Sequence, residues 1–193
     1  DLQIRGAGNL LGHSQHGHME AVGYDMYMKL LNQAIAAEKG EAPAPDKTEC
    51  LIGITVDAYI PESYIQDAAG RIVAYKRIAA VAAREDADDV LDELRDRYGK
   101  VPASVAGLVD ISLARVLAAQ LGIYEVTQKR DDLILYSDAL DLAAVKRLLR
   151  GTARRMMVNA SAKPYLSVRV EPGEKPLDVL GEALAHLEAA KTI

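Results

Sequence analysis

Between residues 49 and 193, the sequence changes repeatedly between the period of a strand and the period of a helix, and this mixture restricts the fold most. The β-branched run at 50–60, which Pro61 bounds, predicts a strand. Two strands are predicted at 123–137 around a polar turn near Lys129 to Asp132, and two more at 155–171. Because short strand pairs alternate with helices, we predict a compact α+β domain with antiparallel strands rather than a doubly wound parallel sheet.

Apolar residues at spacings of three and four predict five helices in the same segment. Their stripes are Ile72, Tyr75, Ala79 and Ala82; Ala87, Val90, Leu91, Leu94 and Tyr98; Val105, Leu108, Val109, Val116 and Leu117; Leu142, Val145, Leu148 and Leu149; and Leu177, Leu180, Leu184 and Leu187. Asp86 is expected to cap the second helix, and Gly99 to follow it. Pro102 suits the first turn of the third helix, and Gly122 suits its end.

The part of the chain before this segment has a simpler pattern. Apolar residues at helical spacing predict one helix up to residue 37, and a Gly- and Pro-rich stretch with few apolar residues then predicts a linker. The expected organisation is a helical appendage at 1–37, a linker at 38–48 and an α+β domain at 49–193. The first residue is Asp1, and the opening run reads as the middle of a longer sequence, so we expect a piece of a larger protein.

Charge and composition limit the possible functions. The net charge of −5 argues against a domain whose whole surface binds phosphates, so any nucleic-acid contact must be local. The single cysteine, Cys50, cannot form an intrachain disulfide, which suits a reducing compartment. We find no uninterrupted apolar run of about 18–20 residues such as a membrane span needs. We therefore expect a cytoplasmic protein with no membrane contact.

The sequence offers little support for catalysis. The glycines of RGAGNLLG are spaced one residue too wide for the dinucleotide fingerprint, and the Gly-x-x-x-x-Gly-Lys-Ser/Thr motif that binds nucleotide phosphates does not occur. We therefore expect neither ATP hydrolysis nor a cofactor in this chain. Cys50 has no nearby histidine to activate it, so an inert buried thiol is the expectation.

Three histidines, His13, His16 and His18, lie close together near the start of the chain. Three imidazoles could hold a transition metal, but the segment lacks a fourth ligand at metal spacing. Solvated loop histidines are the simpler interpretation, and we predict no metal site.

Two charged clusters remain. Lys146, Arg147, Arg150, Arg154 and Arg155 crowd one predicted helix and its exit. They could contact DNA phosphates, but a solvated face with cations near a helix C-terminus explains them as well.

The second cluster lies on the predicted helix after Asp86. The apolar stripe of that helix leaves Glu93, Asp96 and Arg97 together on another side, about one turn apart. Taken alone, such a group is usually a solvated face.

The opening run DLQIRGAGNLLGHSQHGHMEAVGYDMY resembles the end of the translocation motif shared by transcription-repair coupling factors and the branch-migrating helicase of the same superfamily. The resemblance assigns the motif's arginine, two of its glycines and its glutamine to Arg5, Gly6, Gly8 and Gln15. It implies a segment that passes the closure of an ATP- and Mg-binding motor on to double-stranded DNA. Such a transmission needs an element with two arrangements, which glycines permit and which side chains able to exchange hydrogen-bond partners can connect.

Beyond the linker, the runs VDAYIPESYI, YKRIA and LDELRDRYGKVP resemble the C-terminal domain of the coupling factors, which the helicase lacks. The resemblance implies a regulatory domain without catalysis that docks on a UvrB-like N-terminal domain, masks UvrA binding and restrains the motor. The larger protein would also bind RNA polymerase. The family's Glu-x-x-Asp-Arg docking group matches Glu93, Asp96 and Arg97, although Arg95 stands where an apolar residue is usual. A local double-stranded DNA-binding module at 146–155 and a metal-dependent enzyme using the loop histidines remain the alternatives.

Overall fold

The structure, a computed structural model, describes residues 50–138, 145 and 155–191. Its elements in chain order are β1 (Leu51–Gly53), α1 (Ala68–Ala79), α2 (Arg84–Tyr98), α3 (Ala103–Gln120), β2 (Ile123–Lys129), β3 (Asp132–Ser137), β4 (Met156–Asn159), β5 (Tyr165–Arg169) and α4 (Pro176–Lys191). The predicted appendage and linker lie outside the described residues, so the domain boundaries stay predictions.

The five strands form one mixed sheet in the order β1-β2-β3-β5-β4. The strands β1 and β2 are parallel, and the long crossover through α1, α2 and α3 that connects them permits this pairing. The other three pairs are antiparallel. The α+β prediction is therefore confirmed, and so are both predicted strand pairs and the helices α1 to α4.

The core lies between the helices and one face of the sheet. Strand register aligns buried and partly buried side chains into two cross-sheet rows, Ile52–Val126–Leu135–Leu166–Val158 and Leu133–Val168–Met156. Helices α3 and α4 contribute fully buried residues such as Leu108 and Leu180 to the same core. Burial of apolar surface between these layers is the main stabilising contribution.

The strand predicted at 50–60 is wrong in length, since β1 ends at Gly53. Beyond β1 the chain packs against α3, and its apolar residues Ile54, Ala58 and Ile60 are buried. The backbone N–H of Tyr59 donates to the carbonyl of Ser104, 3.2 Å away. Gly107 permits this approach, because a Cβ there would lie 3.1 Å from the carbonyl oxygen of Asp57.

Helix ends agree with the sequence in two cases and differ in two. Gly99 and Gly122 follow α2 and α3 with positive φ angles of 84° and 76°, as predicted. Asp86 is not the N-cap of α2; Ala83 is, and the Asp86 carboxylate instead accepts from the backbone N–H of Ala82 at 3.0 Å. Pro102 is the N-cap of α3, one residue before its first turn.

The segment between β1 and α1 is fixed by side chains from the helices. The buried guanidinium of Arg71 donates from one nitrogen to the carbonyls of Ile65 and Gln66, each at 2.9 Å. The phenol oxygen of Tyr75 accepts from the N–H of Ile60 at 2.9 Å, and burial raises the pKa of this phenol. These contacts satisfy backbone groups that no strand pairs.

Helix α3 is long and apolar enough to span a membrane by length and composition, and it is the one such helix among the described residues. Half of it is buried within the fold, and it packs against β1, β2 and α4. Asp110 and Arg115 interrupt its apolar sequence. This is the behaviour of a core helix.

Candidate interdomain docking surface

The residues predicted to dock lie on the exposed side of the α1–α2 helix pair. Glu93 accepts from Arg77 of α1, with Nε 3.2 Å from Oε2, and from Arg97 one turn later on α2, with the nitrogen 3.4 Å from Oε1. Asp96 is exposed, and none of the described residues bonds to it. We call Arg77, Glu93, Asp96 and Arg97 the docking surface.

The docking surface has a rigid support. The ring of Tyr98, next to Arg97, packs edge-on against Tyr64 with centroids 5.8 Å apart. The Tyr64 hydroxyl donates to the carbonyl of Leu94 at 3.0 Å, which ties the segment before α1 to the last turn of α2. Burial, and after it the neighbouring Tyr98, raises the pKa of Tyr64.

Helix α2 is strongly acidic. Its fifteen residues include seven carboxylates and three arginines, a net charge of −4. The carboxylates begin in the first turn and two arginines occupy the last turn, which suits the helix dipole. Arg77 and Arg97 offset the charge of Glu93 locally, whereas Asp96 has no ion-pair partner among the described residues.

Sequence reasoning placed Glu93 and Arg97 together on one exposed side of the helix, and the structure joins them. It did not place Arg77 there. Arg77 lies within the run YKRIA, in the last turn of α1, so the sequence shows a cation at the end of that helix. Only the pairing of the two helices brings Arg77 to Glu93. Arg95, the departure from the family pattern, is exposed and pairs with Asp92 on its own helix.

The other candidate sites are described only in part. Arg155 is exposed at the start of β4, whereas Lys146, Arg147, Arg150 and Arg154 lie outside the described residues. The same holds for the translocation-motif residues Arg5, Gly6, Gly8 and Gln15 and for His13, His16 and His18.

Cys50 is fully buried, as predicted. Within residues 50–138, 145 and 155–191, no group of three potential metal ligands comes together.

Comparisons with known proteins agree with this architecture. Residues 54–148 match the TRCF domain. The transcription-repair-coupling factor of Bacillus subtilis (strain 168) is 42% identical over 131 residues, which are 68% of this chain and 11% of that protein. The factor of Staphylococcus aureus (strain USA300) is 38% identical over 130 residues, 67% of this chain and 11% of that protein. The chain thus spans about a tenth of the length of these relatives.

A solved structure described as the C-terminal domain of transcription-repair coupling factor shares the fold. Its TM-score is 0.64 at 22% identity, and the match covers 74% of this chain and 96% of that one. At this level of identity the likeness concerns the fold, and the sequence matches to the bacterial factors supply the family. The chain therefore belongs to the TRCF-domain family and corresponds to the C-terminal domain of transcription-repair coupling factors.

Proposed function

We propose that this chain is the regulatory C-terminal domain of an ATP-driven double-stranded DNA translocase that releases stalled RNA polymerase and recruits nucleotide excision repair. In this proposal the domain docks on the UvrB-like N-terminal domain of the same protein. Docking restrains the motor and masks the surface that binds UvrA. The observation that carries the proposal is the exposed docking surface on the α1–α2 pair, which contains the residues that match the family's docking group.

The geometry suits a reversible contact. Exposed ion pairs contribute only about 0–1 kcal/mol each, so no single pair could hold the domain permanently. Shifting a two-state equilibrium from 1:99 to 99:1 requires about 5.5 kcal/mol, which several such contacts and some apolar burial supply together. Polymerase or DNA could then open the docked state by offering competing contacts.

The charges indicate what the partner surface offers. Glu93 is already paired with Arg77 and Arg97, whereas Asp96 can gain a cationic partner without losing one from the described part of the chain. With a net charge of −4 on α2, the complementary surface should carry arginine or lysine opposite Asp96. The rigid Tyr64–Tyr98 support limits the ordering that docking requires, which favours binding.

The remaining parts of the proposal follow the resemblance at the start of the chain. Arg5, Gly6, Gly8 and Gln15 would transmit motor closure to DNA, while ATP and Mg bind elsewhere in the larger protein. The chain itself would be neither an enzyme nor a cofactor-binding protein, and it would work in the cytoplasm.

The experiment is a charge reversal in the full-length protein. The variant Glu93→Lys/Asp96→Lys/Arg97→Glu should raise both the basal ATPase rate and the affinity for UvrA, because the docked state is lost. Asp88→Lys, an exposed reversal nearer the start of α2, is the control and should leave both unchanged. Basal ATPase and UvrA affinity equal to those of the wild type in the triple variant would reject the docking assignment.

The alternatives make different predictions. A duplex-binding module at Lys146, Arg147, Arg150, Arg154 and Arg155 would bind double-stranded DNA with a steep salt dependence, which fluorescence anisotropy measures. A metal-dependent enzyme using His13, His16 and His18 would retain metal after purification, which elemental analysis detects.

A further inference from the structure

The face of the sheet opposite the helices, called the outer face below, carries a continuous row of tyrosine rings. Register places Leu51, Glu125, Tyr136, Tyr165 and Asn159 side by side across all five strands. The ring of Tyr124 stacks on Tyr136 with centroids 6.3 Å apart and planes at 29°. Tyr136 in turn meets Tyr165 edge-on at 5.6 Å.

The outer face is exposed at its two edges, whereas Ile134 at its centre is buried. Leu51 on one edge strand is 57% exposed, and Met157 on the other edge strand is 60% exposed. Both belong to this face by strand register, and the three tyrosines between them are half-buried. Leu51 and Met157 are two of the four large hydrophobic residues that are exposed within the described part of the chain.

Polar groups hold the rings in place. Lys129 donates from Nζ to the hydroxyl of Tyr136 at 3.3 Å, and Asn159 donates from Nδ2 to the hydroxyl of Tyr165 at 3.0 Å. Because neighbouring side chains fix both hydroxyls, little ring freedom remains to be lost when a flat ligand stacks on them.

One end of the outer face is cationic. Arg169 pairs with both Asp131 and Asp132 at 3.2 Å, so it offsets one of the two carboxylate charges near the β2–β3 turn.

Among the described residues, this end then carries three exposed cations against one remaining carboxylate charge: Lys129, Arg130 and Arg155. Arg155 belongs here because its carbonyl accepts from the N–H of Arg169 at 3.0 Å, and strand alternation places it on the side of Met157.

From this arrangement we infer that the outer face binds single-stranded nucleic acid, with bases stacked on Tyr136 and Tyr165 and phosphates at Lys129, Arg130 and Arg155. Aromatic rings on an open antiparallel sheet offer the flat surface that unpaired bases need, and the adjacent cations attract the backbone. A duplex buries its base faces, so the tyrosine row favours single strands.

The acidic side of the outer face restricts the path of the bound nucleic acid. Glu125 and Asp138 lie beside Tyr124, where partial burial first and then these two charges raise the pKa of its phenol. Phosphates should avoid this side. The bound strand is therefore expected to pass over β3, β5 and β4 rather than toward β1.

The test uses the 193-residue chain with fluorescein-labelled dT12, rU12 and a 12-base-pair duplex, measured by fluorescence anisotropy at 50 mM and 200 mM salt. Single strands should bind more tightly than the duplex, and more weakly at the higher salt. The chain has nine tyrosines and no tryptophan, so stacking should also quench its tyrosine fluorescence.

Four variants separate the contributions. Tyr136→Ala/Tyr165→Ala should weaken dT12 binding by about thirtyfold or more, because each of the two stacked bases is worth about 1–3 kcal/mol. Tyr136→Phe/Tyr165→Phe keeps the rings and should retain binding. Lys129→Glu/Arg130→Glu changes only exposed side chains and should weaken binding and flatten the salt dependence. Tyr59→Ala, an exposed tyrosine outside the sheet, is the control and should bind as the wild type does.

Circular dichroism and thermal denaturation verify folding; if the alanine pair unfolds, the charge-reversed pair decides. No binding of dT12 or rU12 at 50 mM salt would overturn the inference. So would wild-type affinity in the Lys129/Arg130 variant, or binding that depends on Lys146 and Arg150 alone. The docking variants on α2 should bind dT12 normally, so this inference and the docking proposal can fail separately.

Discussion

Arg77 of α1 and Glu93 of α2 form an ion pair between neighbouring helices, with Nε of the arginine 3.2 Å from Oε2 of the glutamate. The other carboxylate oxygen of Glu93 meets Arg97 at 3.4 Å. Glu93 therefore contributes to the pairing of the two helices. Asp96, which lies about one turn after Glu93 on α2, is bonded to none of the described residues. The two carboxylates should respond differently to substitution.

Asp96→Lys should leave the thermal stability of the chain unchanged while weakening docking. Glu93→Ala should lower stability slightly, by up to about 1 kcal/mol, because exposed ion pairs contribute no more than this. Thermal denaturation of both variants measures the first quantity, and binding to the UvrB-like domain measures the second. A large fall in melting temperature for Asp96→Lys would mean that the aspartate supports the fold instead.

Gly99→Ala should destabilise the chain by about 1–3 kcal/mol, because the φ of 84° and ψ of −155° at this residue belong to a region that almost only glycine adopts. Gly181→Ala is the matched control. A Cβ at Gly181 would meet nothing within 4 Å, and alanine is the better helix former, so stability should rise by up to about 1 kcal/mol. Urea denaturation compares the two, and equal effects would argue against the strained turn after α2.

Asp110→Asn should stabilise the chain at neutral pH. Burial, and after it the nearby Asp178, raises the pKa of Asp110 above the ordinary 3.8, so ionisation of this carboxyl opposes folding. The folded state binds the proton more tightly than the unfolded state, so the penalty disappears as the pH falls through the raised pKa toward 3.8. The effect should be small because Asp110 keeps part of its surface in water.

Melting temperatures of wild type and Asp110→Asn between pH 4 and 8 provide the measurement. The difference should shrink toward the acidic end, and Asp178→Asn should give a weaker effect of the same sign. A stabilisation that grows as the pH falls would contradict the expected sign.

Arg5→Ala and Gln15→Ala in the full-length protein should each leave ATP hydrolysis measurable but stop displacement of a DNA triplex or a stalled polymerase. The reason is that the motif is expected to transmit motor closure rather than to bind nucleotide. The contrary result is loss of hydrolysis with unchanged movement per ATP.

Periodicity predicted α1 to α4 and the two strand pairs well, because each of those segments places its apolar residues at a regular spacing on one face. It failed at 54–60, where β-branched residues are buried against α3 without pairing as a strand. Strand propensity reports burial on a flat surface and cannot show which neighbour provides it. The β2–β3 turn was predicted although it lacks glycine, and Arg130 takes the left-handed conformation there with φ 55°.

The docking surface was predictable only within one helix. Spacing along α2 brought Glu93 and Arg97 together, but Arg77 joins them through the packing of α1 against α2, which no local pattern reports. Local sequence patterns did not predict the tyrosine row of the outer face for the same reason. Tyr124, Tyr136 and Tyr165 come from three strands, and only their register aligns the rings.

Isothermal titration calorimetry of this chain against the isolated UvrB-like N-terminal domain tests the regulatory proposal most directly. We predict measurable binding by the wild-type chain that weakens with salt and is lost in Glu93→Lys/Asp96→Lys/Arg97→Glu, while Asp88→Lys binds normally. Equal binding by the wild type and the triple variant, or no binding by either at low salt, would contradict it.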